Sequence, residues 1–252
     1  MLALFHVVLY QPIFNVFVFL YNIIPGHDVG VVILAITILV RLVLYPLTSS
    51  SIKAQRALQD LQPKMAAIKL QYPNDKQKQT EATMEMYKNN KVNPFTSCLP
   101  MLVQLPILIA LYTVLQDGLN SKNLADSLYS FVGNPGTINQ ISLGLVNMAK
   151  PNYVLAFMAG LAQYFQAKTM STKNPPPQAG EGAKDEAMMS MMNKQMLYLM
   201  PVMTVVIGFN LPGGLTLYWF FGTLLMALQQ MWLFKSRKSE GNGNVIEGTL
   251  VK

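Results

Sequence analysis

From Val29 to Leu47 the chain runs nineteen residues with a single charge, Arg41. About 20 apolar residues in a helix cross the hydrocarbon core of a bilayer, so this run reads as a membrane span with a cation inside it. Cys98 to Gln116 has no charge at all, and Tyr153 to Ala167 is a shorter apolar run. Met196 to Asn210 and Leu215 to Phe234 are parted only by Leu211-Pro212-Gly213-Gly214, a tight-turn signal that makes them a helical hairpin. The composition agrees, with 12% charged residues against the roughly 25% of soluble domains. Most soluble enzyme folds and secreted disulfide scaffolds are excluded, and the single cysteine, Cys98, has no partner for an internal disulfide. The expected fold class is an all-α integral membrane protein with five transmembrane helices.

The expected spans are 29–51, 97–117, 151–169, 195–211 and 214–234. Sixteen of the nineteen Lys and Arg lie in 52–93, 168–194 and the tail, and only Lys122 and Lys150 in the loop 118–150. Short loops rich in these residues stay cytoplasmic. A cytoplasmic hairpin at 52–94, a flexible cytoplasmic loop at 170–194, a cytoplasmic tail at 235–252 and an extracytoplasmic loop at 118–150 follow, with the N-terminus outside. Most of the +7 net charge is therefore a topology signal, and DNA is not an expected partner.

Residues 1–26 are apolar enough to be a sixth span or a signal peptide. No Lys or Arg precedes Arg41, so the basic leading region of a signal peptide is missing. Gln11, Asn15 and Asn22 fall within about 40° of one another on a helical wheel, and the expectation is an amphipathic helix lying on the outer face.

Arg41 costs about 2.5 to 3.5 kcal/mol near a span centre, while the Val, Ile and Leu around it return about 4 to 8 kcal/mol, so the span still inserts. One reading is an arginine that snorkels toward the interface some 12 Å away. The other is a cation in a hydrated cavity, supported by Thr37, Tyr45 and Thr48 at i−4, i+4 and i+7. No acidic residue lies in any expected span to pair with Arg41. Gln104, Gln116, Gln163, Gln166, Thr204, Thr216, Tyr218, Trp219 and Thr223 add polar groups to the other spans. Each could serve as an interhelical hydrogen bond worth about 0.6 kcal/mol; together they suit a half-polar groove.

In 52–94, Ala54, Leu58, Leu61, Met65, Ile68 and Tyr72 are spaced 4, 3, 4, 3, 4, an apolar seam that Pro73-Asn74-Asp75 ends. Thr80, Met84 and Tyr87 continue it, so two antiparallel helices are expected, the first kinked by Pro63. No phosphate loop, nucleophile elbow, catalytic carboxylate pair or metal-ligand cluster is present in the sequence, so neither an enzyme nor a cofactor or metal site is expected.

Taken in order, Thr37-x-x-x-Arg41 with Tyr45-Pro46-Leu47-Thr48, Leu61-Gln62-Pro63-Lys64, Asn93-Pro94, Cys98-Leu99-Pro100 through Gln104-x-Pro106 to Ala110-Leu111-Tyr112, and Pro212-Gly213-Gly214-Leu215-x-Leu217-Tyr218-Trp219 resemble the YidC/Oxa/Alb family of membrane protein insertases. The resemblance implies five helices around a hydrophilic groove open to the cytoplasm and to lipid but closed to the outside. It implies that Arg41, with Thr37, Gln104, Gln166 and Tyr218 near it, receives the polar parts of a nascent membrane protein. Leu102 and Trp219 correspond to an apolar slide that guides the client's membrane segment into lipid. A bacterial inner-membrane location is implied, as are the ribosome, the signal recognition particle pathway and the Sec translocon as partners. The competing readings are a small-solute transporter or channel, disfavoured because five spans do not split into matching halves, and a passive assembly chaperone.

Overall fold

The computed structural model describes residues 2–73, 75–120, 124–170 and 195–241. The flexible loop expected at 170–194 lies outside the described residues from 171 on, and the tail from 242 on. Most of the described residues are helical: α1 (Leu2–Phe5), α2 (Gln11–Ile23), α3 (Val29–Val43), α4 (Tyr45–Asp60), α5 (Gln62–Gln71), α6 (Lys76–Asn89), α7 (Phe95–Asn120), α8 (Tyr153–Met170), α9 (Met200–Gly208) and α10 (Gly213–Gly241). Two-residue strands β1 (Ile141–Ser142) and β2 (Val146–Asn147) form an antiparallel ribbon before α8. π-helical turns at His6–Tyr10 and Gln195–Leu199 precede α2 and α9. Each lies just ahead of a proline, Pro12 or Pro201, whose ring displaces the carbonyl four residues back and lacks an N–H to bond it.

Among the described residues, three segments are long and apolar enough to cross a membrane: His6–Ile23, Leu102–Asn120 and Gly213–Phe234. Val29–Val43 with Tyr45–Asp60 makes a fourth if the pair counts as one span, bent by 66° at Leu44. The first expected span is therefore not straight. Pro46 stands in the first turn of α4, where its missing N–H costs nothing, so the helix restarts there instead of continuing α3. Beyond the bend α4 runs unbroken past residue 51 to Asp60, so the expected border between span and hairpin is not a break in the chain. Pro63 acts in the same way: α4 ends at Asp60, Leu61 caps it, and α5 begins with the proline in its first turn.

The hairpin helices α5 and α6 are antiparallel. Lys64 Nζ donates to Asn90 Oδ1 at 3.2 Å, the Tyr87 hydroxyl to Met65 Sδ at 3.3 Å, and Gln79 Nε2 to the Tyr72 carbonyl at 2.5 Å. No residue of α5 is buried and only Met86 of α6 is, so the hairpin stands mostly clear of the bundle.

Small residues set the helix spacing. A Cβ at Gly160 of α8 would collide with Val205 Cγ2 and lie 2.9 Å from the Pro201 carbonyl on α9; one at Gly208 would lie 2.8 Å from Ala156 Cβ. Ala156 and Gly160 are four apart, the small-x-x-x-small spacing that lets membrane helices approach closely. α10 packs on both α8 and α3, and α4 packs on α7. At the start of α10, Gly213 and Gly214 donate to the carbonyls of Lys150 and Met148, both at 2.9 Å. A Cβ at Gly214 would stand 2.9 Å from Ile33 Cδ1.

The largest apolar core lies at this same end. Phe14, Phe17, Val18 and Tyr21 of α2 are buried against α3, α7 and the segment 124–148. Asn15 and Asn22 of the expected polar stripe meet protein: Asn15 Nδ2 donates to the Ser127 carbonyl at 2.9 Å, Tyr129 N–H to Asn15 Oδ1 at 2.7 Å, and Asn22 Nδ2 to the Gly133 carbonyl at 2.7 Å.

Asp28 caps α3 and clasps the ribbon. Its carboxylate accepts from Gly30 N–H (2.8 Å), Val31 N–H (3.1 Å), the Ser142 hydroxyl (2.6 Å) and Leu143 N–H (2.5 Å). Gly30 is glycine because a Cβ there would run into Ser142 Oγ. Burial pushes the Asp28 carboxyl up, but these hydrogen bonds outweigh it and hold the group below the usual carboxylate range. A depressed folded-state pKa stabilises the fold fully above the unfolded value near 3.9 and is lost as pH falls through the folded value. The thermal midpoint in detergent should therefore fall below about pH 4, and Asp28→Asn should remove part of that acid dependence. Identical acid profiles for the two proteins would show that the clasp contributes nothing.

Candidate functional site

Arg41 sits in the last turn of α3, one residue turn before the bend at Leu44, where a cation also complements the helix dipole. Its guanidinium lies over α10 at Gly222. A Cβ built there would be 3.1 Å from Arg41 Nη2, 3.6 Å from Nε and 3.7 Å from Thr37 Cγ2. Gly222 leaves the space that the arginine fills. One turn earlier on α10, Tyr218 is buried at 4% exposure and its hydroxyl accepts from Gln104 Nε2 of α7 at 2.6 Å. Tyr218 and Arg41 are near enough to interact electrostatically. Thr37, Arg41, Tyr218 and Gln104 are thus brought together from three helices, with Gly222 at the centre.

Farther along α10 the same face meets α4. Gln229 Nε2 donates to Thr48 Oγ1 at 3.1 Å and to Ser49 Oγ at 2.9 Å. Tyr218, Gly222 and Gln229, at i, i+4 and i+11, form one stripe that serves α7, α3 and α4 in turn. Thr37 and Thr48 are buried, with hydroxyls donated to the backbone carbonyls of Ile33 and Leu44, whereas Tyr45 is 41% exposed. The bend explains why Thr37, Tyr45 and Thr48 do not share a single wet face: the wheel drawn through Leu44 is broken there.

Among the described residues the ion pairs are Arg56–Asp60 and Lys78–Asp75, each at 3.4 Å, and Arg41 is in neither. Arg41 makes no hydrogen bond to a described residue, yet no buried side-chain nitrogen or oxygen among them lacks a partner. Arg41 as a whole is half-buried, and its unbonded nitrogens are not fully sealed inside the protein.

The remaining expected site residues make other contacts or none that join them to this cluster. Gln166 is half-buried on α8; its carbonyl accepts from Thr169 Oγ1, which also donates to Gln230 of α10. Gln163 accepts from Thr204 at 3.2 Å, joining α8 to α9. Leu102 is 62% exposed on α7, and Trp219 is half-buried beside Tyr218. A separate cleft of about 520 Å³ opens between α6 and α7, lined by Met84, Tyr87, Lys88 and Phe95 among others, and shares no residue with the Arg41 cluster. Sequence reasoning missed Gly222; the signal was a glycine in an apolar helix interior, four residues after Tyr218.

The family described as 60Kd inner membrane protein matches residues 19–240. The chain belongs to this family. The match takes in the whole Arg41 cluster and agrees with the resemblance carried by the sequence blocks. Among similar proteins is one named membrane protein insertase YidC from Fusobacterium nucleatum, 36% identical over 208 residues that cover 82% of this chain and 86% of the relative. A protein of the same name from Oceanobacillus iheyensis is 32% identical over 82% of this chain and 74% of its own length. That from Geobacter metallireducens is 30% identical over 90% of this chain but only 37% of its own length. Members of the 60Kd inner membrane protein family thus differ in what surrounds the shared part, and the chain spans little more than a third of the Geobacter relative.

Proposed function

We propose that the chain is a membrane protein insertase that receives nascent membrane proteins in a positively charged groove around Arg41 and releases their apolar segments into lipid. The observation that carries this reading is a half-buried arginine among apolar helices, with no carboxylate partner among the described residues and with nitrogens not fully sealed inside the protein. Such a cation attracts the carboxylates of a translocating tail and shortens the stretch over which polar groups lose water. The apolar segment then leaves sideways, driven by its own transfer into lipid. The names of the relatives support the same activity.

In this reading α3 with the start of α4, α7, α8, α9 with its preceding turn, and α10 are five spans, and α5 and α6 project into the cytoplasm. The π-turn and α2 together lie across the outer face instead of spanning. Tyr10 donates to Asp117 at 2.7 Å, and the Phe17 ring lies against Gly118, 3.2 Å from where its Cβ would be. These residues are separated by about 10 Å of helix rise yet meet neighbouring positions of α7, as a helix crossing α7 would. The ribosome, the signal recognition particle pathway and the Sec translocon are the partners that fit this role.

Reconstitution with a short single-span protein, scored by protease protection, tests the proposal. Protection should depend on the reconstituted protein, and small-solute flux without client insertion would favour a transporter. A photo-crosslinker at Leu102 or Trp219 should capture the apolar segment of a ribosome-stalled client, and one at Arg41 its polar flank. Trp219→Ala should weaken capture, since a large apolar contact is lost. Equal crosslinking at Phe157, 63% exposed on α8, would mean that contact is non-specific.

A further inference from the structure

We propose that the tip of the β1–β2 ribbon is a lipid-inserted finger, seating Ile141, Leu143 and Leu145 in the membrane leaflet at the Asp28 end of α3. The inference rests on the reading of α3 as a membrane span.

The turn is built against its sequence. Leu145 N–H donates to the Ser142 carbonyl at 3.0 Å across Leu143 and Gly144, whose φ angles are +52° and +70°. Positive φ at both central positions is the requirement of a type I′ turn, which favours Asn or Asp before Gly. A leucine in the left-handed region is disfavoured, and it is held there because Asp28 takes its N–H and the Ser142 hydroxyl. The strained side chain is left mostly uncovered: Leu143 is 76% exposed, Leu145 85% and Ile141 46%. Three large apolar side chains on one rigid tip form a patch of the kind that marks an interaction surface.

Its position identifies the occupant. The carboxylate that holds Leu143 also caps the first turn of α3, so the tip stands at the level where that helix begins. Val31, in that first turn, starts an exposed stripe on α3 that continues through Ile38 and Leu42, at i, i+7 and i+11. The tip thus stands at the end of α3 from which this exposed stripe starts. Between Asp126 and Lys150 the sequence has no charged residue, so nothing in the segment opposes entry into the interface. A lipid surface needs only apolar side chains on a fixed backbone, and that is what the tip supplies.

The test uses the full chain with Cys98→Ser and one new cysteine at Leu143, Leu145, Asn134 or Ile38, each carrying an environment-sensitive fluorophore. The protein is placed in vesicles of phosphatidylethanolamine and phosphatidylglycerol, with no other protein, containing lipids with a nitroxide at a shallow or a deep acyl position. Positions 143 and 145 should show blue-shifted emission and several-fold stronger quenching by the shallow nitroxide than position 134, which is exposed on the same loop. Quenching at 143 and 145 no stronger than at 134, with Ile38 quenched by the deep nitroxide, would overturn the finger and leave the span intact. If Ile38 also escapes quenching, the span reading fails and the finger with it. Shielding of the tip that requires an added protein would likewise overturn the proposal in favour of a protein-binding surface.

Discussion

Arg41→Ala should reduce insertion of single-span clients with acidic translocated tails by about ten- to a hundredfold. That corresponds to roughly 1.4 to 2.8 kcal/mol, within the approximately 4 kcal/mol that two unit charges 4 Å apart exchange at an effective dielectric of 20. Arg41→Lys should retain most activity, because attraction of a carboxylate needs the charge and not the planar fork. Clients with neutral tails should be affected far less by either change. Gly222 supplies an independent arm. Leucine at 222 leaves every charge in place but begins with a Cβ 3.1 Å from Arg41 Nη2, so the guanidinium must move off α10. Gly222→Leu should therefore resemble Arg41→Ala in the protease-protection assay, and Gly222→Ala should fall between it and the unaltered protein. Normal insertion of acidic clients by well-expressed Arg41→Ala would make the arginine a snorkelling bystander and end the groove proposal.

The contrast between Arg41 and Gly222 shows where sequence reasoning stops. A cation in an apolar run is costly enough to demand a role from the sequence alone. A glycine in an apolar helix has several ordinary explanations, and only the packing of α10 on α3 selects one. The bend at Leu44 has a signal in the sequence, since Pro46 disfavours a helical residue before it, but the apolar run passes through Tyr45-Pro46 without interruption and hydropathy alone marks no break there. The first helix is a subtler case. Tyr10, Phe14, Phe17, Val18 and Tyr21 recur at i, i+4, i+7, i+8 and i+11, an apolar face that periodicity reveals. What covers that face comes from α3, α7 and residues more than a hundred positions away, and no local pattern specifies such a partner. For the same reason Asn15 and Asn22 read as a wet stripe: side chains that clasp a distant loop have the polarity of side chains that face water.

Asn15 is where that clasp is most vulnerable. It is 3% exposed, and its amide donates to the Gln11 and Ser127 carbonyls at 2.8 and 2.9 Å while accepting from Tyr129 N–H at 2.7 Å. Alanine removes all three contacts and leaves the Tyr129 donor and the Ser127 acceptor against an apolar core that includes Phe14 and Val18. Each such group left without a partner costs about 1 to 3 kcal/mol, so Asn15→Ala, which removes the partners of two of them, should destabilise this end of the molecule by roughly 2 to 6 kcal/mol. For a chain of this size each kcal/mol lowers the melting midpoint by about 2 to 4 °C. Asn22→Ala is the matched comparison, because its single bond to the Gly133 carbonyl is solvent-exposed and should be worth less than about 1 kcal/mol. Thermal unfolding in detergent should separate the two variants clearly, and limited proteolysis of Asn15→Ala should cut first between Leu124 and Lys150. Because the core behind Asn15 also supports α3 and α7, closure of the groove should suffer too, seen as reagent entry from the 118–150 side to a cysteine near Thr37. An Asn15→Ala protein that melts no lower than Asn22→Ala, with an uncut loop, would show that the apolar face of α2 holds this end closed without the amide.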